Sequence, residues 1–167
     1  GNALTLNGES VAMQSLVQMQ VGQDSYLYCS DADSGTLDVF RVGPDGSLAT
    51  VETDAGSASV AGIARADIGA AQYLVMTDAD GQHVLSFRVG ADGTLTESGS
   101  CGADQGLGVA GINTMEHVSL ADGHYVVVAA RDSSSISVLR MEVDGTLSPV
   151  DRYYRRSEHA VPACDIA

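Results

Sequence analysis

One phrase recurs three times along this sequence, and the recurrence constrains the fold more than any other feature. Its copies read TLDVFRVGPDGSL (36–48), HVLSFRVGADGTL (83–95) and SSISVLRMEVDGTLSPV (134–150). The Asp-Gly pairs within the copies are 47 and 52 residues apart, and the same spacings separate the tyrosines that open the preceding apolar runs, Tyr26, Tyr73 and Tyr125. Because these landmarks agree, the chain contains a repeat of about 50 residues whose length changes lie in the connections.

Each repeat predicts β-strands. In the second unit, alternating and β-branched apolar residues predict strands over 62–69, 72–78, 83–90 and 94–100. Turn residues in DADGQ and GADG favour tight hairpins between successive strands. No window keeps helical spacing for three turns. We therefore predict an all-β chain built from four-stranded antiparallel modules.

Four strands in about 50 residues are typical of one β-propeller blade. The sequence predicts three such blades, at about 11–53, 60–101 and 109–152. Residues 2–7 are expected to form an outer strand, and 159–167 the start of a further blade. The Asp-Gly pairs should make equivalent turns, and one side chain per blade should pack between neighbouring blades: Phe40, Phe87 and Leu139.

The repeated phrases resemble the blades of lactonase-type propellers, the family of the bacterial 6-phosphogluconolactonases and their secreted relatives. The resemblance runs from about residue 11 to 150, and it rests on hairpin-building phrases such as SISVLRMEVDGTL. It implies a seven-bladed ring, suggests hydrolysis of a sugar lactone, and favours a secreted or periplasmic location. The sequence given shows no signal-peptide pattern.

Three blades cannot close a ring, since known propellers have about four or more. We therefore expect either a fragment of a larger bacterial protein or a chain that completes itself with a second copy. A homodimer of two three-bladed copies would bury both open ends.

The charge balance excludes some partners. The sequence has 22 acidic residues against 8 basic ones, for a formal net charge of -14. Such a chain repels phosphate backbones and anionic lipid surfaces, so we expect neither nucleic acid nor membrane binding. Small molecules and cations remain open as ligands.

Two aspartate-rich turns are candidate cation sites. The segments DADSG (31–35) and DADG (78–81) carry carboxylates at alternate positions, a spacing that lets two side chains reach one hard cation such as calcium. Neither segment has the full ligand set of an EF-hand loop. They are ordinary hairpin turns or a weak calcium site, whose ligands would be Asp31, Asp33, Asp78 and Asp80.

The innermost strands of a propeller surround its channel, where ligands often bind. Three polar residues on the predicted inner strands are spaced by 49 and 49 residues: Gln18, Asp67 and Glu116. They could bind a metal or a sugar-like ligand, or they could be solvated contacts between blades. His117 follows Glu116 and could act as a base.

No catalytic motif is recognisable, and the cysteines add little. The sequence lacks a GxSxG elbow, an HExxH pair, a P-loop and a dinucleotide-binding fingerprint. Its three cysteines have no zinc-ligand spacing, so zinc is not expected. Cys29 lies in an apolar run and should be buried, whereas a disulfide between Cys101 and Cys164 is conceivable.

Two functional hypotheses follow. The first is a non-catalytic propeller segment that serves as a scaffold or ligand-binding module within a larger bacterial protein. The second, which the family resemblance implies, is a lactone hydrolase in which an activated water attacks the lactone carbonyl.

Overall fold

A computed structural model of the chain describes most of the repeat region. The described residues are 4–6, 9–11, 13–31, 35–52, 62–77, 82–108 and 110–154. Within them, every strand belongs to an antiparallel sheet, and the one helical element is a short 3-10 turn, Ala103–Gln105. None of the helices in this part of the chain is long and apolar enough to cross a membrane.

The described strands form three four-stranded sheets and one hairpin. The hairpin pairs β1 (Leu4–Leu6) with β2 (Glu9–Val11). Blade 1 contains β3 (Met13–Val21), β4 (Asp24–Asp31), β5 (Leu37–Val42) and β6 (Leu48–Glu52). Blade 2 contains β7 (Ile63–Ile68), β8 (Ala71–Thr77), β9 (His83–Val89) and β10 (Leu95–Gly102). Blade 3 contains β11 (Ile112–Leu120), β12 (Gly123–Ala130), β13 (Ser135–Met141) and β14 (Leu147–Tyr154).

This architecture confirms the predicted fold class, because each repeat forms one antiparallel sheet with its strands in chain order. Of the outer strand expected over 2–7, residues 4–6 are described; they form β1, which pairs with β2 in a two-stranded sheet. The further blade expected at 159–167 lies outside the described residues.

The three Asp-Gly turns have the same geometry. In blade 2, the Gly90 amide donates to the Thr94 carbonyl at 2.8 Å, and the Gly93 amide donates to the Gly90 carbonyl at 3.0 Å. The Asp92 carboxylate accepts from the Thr94 hydroxyl at 2.7 Å and the Thr94 amide at 3.2 Å. The equivalent backbone bonds recur in the other blades, where the aspartates and glycines are Asp45, Gly46, Asp144 and Gly145.

These turns require glycine, because the glycine φ angles are 81°, 84° and 91° for Gly46, Gly93 and Gly145. Side-chain-bearing residues adopt such angles at a cost. The bonds from Thr94 also hold the pKa of the Asp92 carboxyl below its ordinary value, so the turn keeps its ionised acceptor.

Each blade has two packing faces. We call the side toward the following blade the forward face and the side toward the preceding blade the backward face. Between blades 1 and 2, buried forward-face residues (Tyr26, Tyr28, Leu37, Val39) contact a backward face made of Leu74, Met76, Phe87 and Leu95. Between blades 2 and 3, the forward face of Tyr73, Val75, Val84 and Cys101 meets a backward face of Val126, Val128, Leu139 and Leu147. Phe87 and Leu139 therefore pack between blades, as predicted. Phe40 is also buried, but it lies on the backward face of blade 1, which no described blade adjoins.

We call each interface between two blades a seam. In each seam, a tyrosine ring of one blade packs directly on a glycine of the next blade. The Tyr26 ring covers Gly93 so closely that a Cβ on this glycine would overlap it, and the Tyr28 hydroxyl donates to the Gly93 carbonyl at 2.8 Å. In the next seam, a Cβ on Gly145 would lie 2.7 Å from the Tyr73 ring, and the Ser86 hydroxyl donates to the Gly145 carbonyl. The Asp-Gly turn of each following blade thus inserts against a tyrosine of the preceding one.

We predict that Gly93→Ala destabilises the protein by about 1 to 3 kcal/mol more than Gly69→Ala. Both glycines have positive φ angles, of 84° and 60°, so both substitutions strain the backbone. Only at Gly93 would the added methyl also meet the Tyr26 ring, since no atom lies within 4 Å of a Cβ at Gly69. Urea unfolding of the two variants measures the difference, and equal losses would show that the seam tolerates the methyl group.

Candidate functional site

The inner strands of the three blades are adjacent. Strand β7 contacts both β3 and β11, so the first strand of each blade lies toward a common centre. Their pairing with the second strands defines equivalent positions. Gln18 pairs with Leu27, Arg65 with Leu74 and His117 with Val126. These three inner residues are therefore structural equivalents.

This register corrects the expected alignment of Gln18, Asp67 and Glu116. The inner strands follow the same spacings of 47 and 52 residues as the tyrosines, because each strand is tied to its hairpin partner. Asp67 is equivalent to Gln20, and Glu116 is exposed on the opposite face of β11 from His117. The tyrosine spacing, applied to the inner strands, identifies Arg65 and His117 as the partners of Gln18.

Each inner hairpin carries a polar triad near its turn. A triad comprises two alternate residues of the first strand and one residue of the second strand. By register, the triads are Gln18, Gln20 and Ser25 in blade 1, Arg65, Asp67 and Gln72 in blade 2, and His117, Ser119 and His124 in blade 3. Only Gln18, Asp67 and His117 were among the residues expected from the sequence.

The blade 1 triad is uncharged and exposed. The Ser25 hydroxyl donates to the Gln20 side-chain oxygen at 2.7 Å, and the Gln18 amide nitrogen donates to the Ser25 oxygen at 3.4 Å. It offers amide and hydroxyl groups but no acid or base.

The blade 2 triad is built around a carboxylate. Arg65 Nε lies 2.8 Å from Asp67 Oδ2, and the Gln72 amide donates to Asp67 Oδ1 at 3.1 Å. Partial burial works to raise the pKa of the Asp67 carboxyl, but the bonds from Arg65 and Gln72 outweigh it and hold that pKa below its ordinary value. Asp67 is therefore ionised near neutral pH.

The blade 3 triad contains a histidine pair. The rings of His117 and His124 stack with their centroids 5.5 Å apart, and His117 Nε2 lies 3.3 Å from His124 Nδ1. Burial lowers the pKa of His117, and the neighbouring His124 lowers it further, while Asp67 and Glu116 oppose the shift. His117 is thus neutral near pH 7, and it is close enough to Asp67 and Glu116 to sense their charges.

The candidate calcium ligands are only partly described. The Asp31 amide donates to the Thr36 carbonyl at 3.0 Å, and the Asp31 carbonyl accepts from the Gly35 amide at 3.0 Å, so the backbone of Asp31 closes the turn between β4 and β5. Asp33, Asp78 and Asp80 lie outside the described residues. No cluster of three or more potential metal ligands occurs within the described ranges.

The described cysteines are buried thiols. Burial raises the pKa of Cys29 to about 11, and it raises that of Cys101 as well. Cys101 is a free thiol, and Cys164, its conceivable disulfide partner, lies outside the described residues.

We predict that stability falls as the pH drops below about 6.5, and that His117→Asn reduces this dependence. The folded-state pKa of His117 lies below its unfolded value, so the unfolded chain takes up a proton that the folded chain resists. Urea unfolding at several pH values between about 5 and 7.5 measures the slope. His83→Asn, at a histidine outside the pair, is the control, and identical slopes for both variants would contradict the prediction.

Solved structures share the fold. A crystallised protein from Lactobacillus plantarum matches with a TM-score of 0.54 and 20% sequence identity, over 85% of this chain and 41% of that one. An exo-β-1,3-galactanase from Phanerochaete chrysosporium, solved with β-1,3-galactotriose, matches with a TM-score of 0.58 and 11% identity, over 81% of this chain and 34% of that one. The chain thus spans less than half the length of either structure.

A search of curated proteins found no significant match. The family model described as lactonase, 7-bladed β-propeller, matches residues 27–162. That match covers most of the sequence, including the greater part of all three blades and their Asp-Gly turns. This chain therefore belongs to the lactonase family of seven-bladed β-propellers.

Proposed function

We propose that this chain is a non-catalytic β-propeller segment of a larger bacterial protein, and that it binds a small, hydroxyl-rich, uncharged ligand at its inner polar triads. The observation that carries the proposal is that the acid–base groups of these triads are already engaged with protein partners. Asp67 is held by Arg65 and Gln72, and His117 faces His124 across 3.3 Å.

Acid–base groups that are held by neighbouring side chains suit ligand binding better than proton transfer. A general base works best when its pKa lies near the working pH and its lone pair faces the substrate. The pKa of Asp67 is lowered instead, and two neighbours occupy its oxygens. Asp67 Oδ2, which lies 2.8 Å from Arg65 Nε, keeps a second lone pair that can accept from a ligand hydroxyl group, and its ionised state strengthens that bond.

The chemistry of the triads favours a sugar-like ligand. Together they present amide, hydroxyl, guanidinium, carboxylate and imidazole groups, which supply both donors and acceptors. The net charge of -14 disfavours anionic ligands. A neutral polyol can bond to both the donors and the acceptors of the triads, and it carries no negative charge for the protein to repel. The three described blades, in a family of seven-bladed propellers, support the proposal that the chain is part of a larger ring.

Lactone hydrolysis is the second candidate, and one feature of His117 favours it. A histidine that is neutral near pH 7 can accept a proton from water. The water oxygen would bond to the lactone carbonyl carbon, the ring C–O bond would break, and the proton taken by His117 would pass to the released alcohol. Membership of the lactonase family supports this alternative.

We predict that a neutral sugar perturbs the NMR signals of the triads, and that Gln72→Ala weakens this binding at least tenfold. Gln72 donates to Asp67, so its loss removes one amide and loosens the carboxylate. Galactose and β-1,3-galactotriose are suitable probes, the latter because the structurally similar galactanase was solved with it. Thr50→Ala, at an exposed residue of the outer strand β6, is the control. A lack of saturable shifts with these probes would contradict sugar binding.

We predict that the purified chain does not accelerate the opening of glucono-1,5-lactone above its spontaneous rate. Titration of the released acid at constant pH measures the reaction, with buffer alone as the baseline. Hydrolysis that is lost in His117→Asn and retained in His83→Asn would instead establish the lactonase alternative. Sugar binding without turnover would favour the binding module.

A further inference from the structure

The inner hairpin of blade 3 brings two imidazole rings together. His117 lies on β11 opposite Val126, and His124 lies on β12 opposite Ser119, so the two histidines are diagonal neighbours on one face of the hairpin. His117 Nε2 lies 3.3 Å from His124 Nδ1. Each ring therefore directs one nitrogen toward the other ring.

This histidine pair lies beside an internal seam. Strand β11 contacts β7 of blade 2, and the histidines are on the backward face, which is the side toward blade 2. Both side chains are half-buried, so solvent and dissolved ions reach them. The exposure of the pair is thus unrelated to the uncovered faces at the two ends of the three-blade array.

The separation of the two nitrogens suits a tetrahedral metal ion. Zinc binds histidine nitrogens at about 2.0–2.1 Å, and two nitrogens at the tetrahedral angle of about 109° are then about 3.3–3.4 Å apart. The observed separation is 3.3 Å. An ion with square-planar geometry, in which adjacent ligands make an angle of about 90°, needs nitrogens only about 2.8–3.0 Å apart. The spacing of the pair therefore favours zinc-like geometry.

A metal ion can replace the proton between the two rings. A neutral imidazole has one N–H and one lone pair, and either nitrogen can carry the proton. In the structure, an N–H of one ring can donate to the facing nitrogen of the other. When a metal binds His117 Nε2 and His124 Nδ1, the protons are held on His117 Nδ1 and His124 Nε2. Two neutral rings thus accept the ion without a net release of protons.

The charges around the pair favour a cation. Asp67 of blade 2 and Glu116 of blade 3 both lie close enough to His117 for their charges to act on its ring. Arg65 is the basic group paired with Asp67, so these neighbours comprise two carboxylates against one guanidinium. The net charge of -14 attracts cations to the molecule as a whole. These carboxylates can stabilise a bound ion without contacting it directly.

We propose that His117 and His124 form a two-histidine site for a zinc-like divalent transition-metal ion, whose remaining coordination positions are taken by water or by oxygen atoms of a ligand. The expected absence of zinc concerned cysteine ligands, whereas this hairpin supplies imidazole ligands. Two protein ligands make a weaker site than the three or four of typical zinc proteins. Such a site also agrees with the lack of any three-ligand cluster within the described ranges.

Isothermal titration of the chain with zinc chloride, in the absence of any sugar, tests the proposal. We expect His117→Asn and His124→Asn each to weaken zinc binding at least tenfold. Because chelation needs both nitrogens, the double variant should lose no more affinity than either single variant. His83→Asn is the matched control, since His83 lies on β9 outside the pair, and it should bind zinc as the unaltered chain does. Calcium, which prefers oxygen ligands, should not compete at equal concentration.

Nitrogen NMR of the histidine rings in the unaltered chain gives a second readout, which does not depend on how the variants fold. Zinc should shift the signals of His117 Nε2 and His124 Nδ1 together, over the same range of zinc concentration. A lack of shifts at these nitrogens up to about 1 mM zinc, or equal zinc affinity in both folded histidine variants, would overturn the proposal. Sugar binding is measured separately without zinc, so a negative result here would leave the proposed function untouched.

Discussion

The arrangement of the blades depends on one contact, the insertion of an Asp-Gly turn beneath a tyrosine ring of the preceding blade. The turn can approach so closely only because its glycine lacks a Cβ and has a positive φ angle. The glycine carbonyl, turned into the seam, would be an unsatisfied buried acceptor without the hydroxyl of Tyr28 or Ser86. Steric fit and hydrogen bonding therefore select the same position, and each seam is aligned by it.

The Asp-Gly turns can be predicted from the sequence because their geometry depends on residues that are close together in the chain. An aspartate two residues before a serine or threonine caps the turn, and a glycine between them takes the left-handed conformation whatever surrounds it. The apolar runs beginning at Tyr26, Tyr73 and Tyr125 are equally local signals, since strands buried on both faces need continuous apolar residues. The three blades of the described ranges, their strand order and the seam residues Phe87 and Leu139 could all be predicted from these patterns.

The inner strands gave no comparable signal. Their equivalent positions hold Gln18, Arg65 and His117, three residue types with no shared chemistry, so an even spacing of 49 residues was a reasonable but wrong guide to register. The pairing also contains register shifts near the start of two inner strands, between Met13 and Ser15 and between Ile112 and Thr114. Such irregularities arise from backbone pairing in three dimensions. The bonds of Arg65 and Gln72 to Asp67 likewise depend on which residues the hairpin places side by side.

The turns keep the same residues in all three blades, whereas the triads have different residues in each blade, because the two parts of the repeat meet different physical requirements. A turn residue must satisfy backbone geometry and a neighbouring blade, so only a few residue types work there. A triad residue near the end of an inner strand needs only a partner for its own polar groups. The three blades supply different partners: a hydrogen bond between Gln20 and Ser25, an ion pair between Asp67 and Arg65, and a contact between the rings of His117 and His124. Because the seams are packed by buried apolar residues at other positions, the triads are free to differ in charge and hydrogen-bonding capacity. The distinctive chemistry of this propeller is therefore concentrated where the repeat is least regular, and a ligand that spans the inner ends would meet a different surface on each blade.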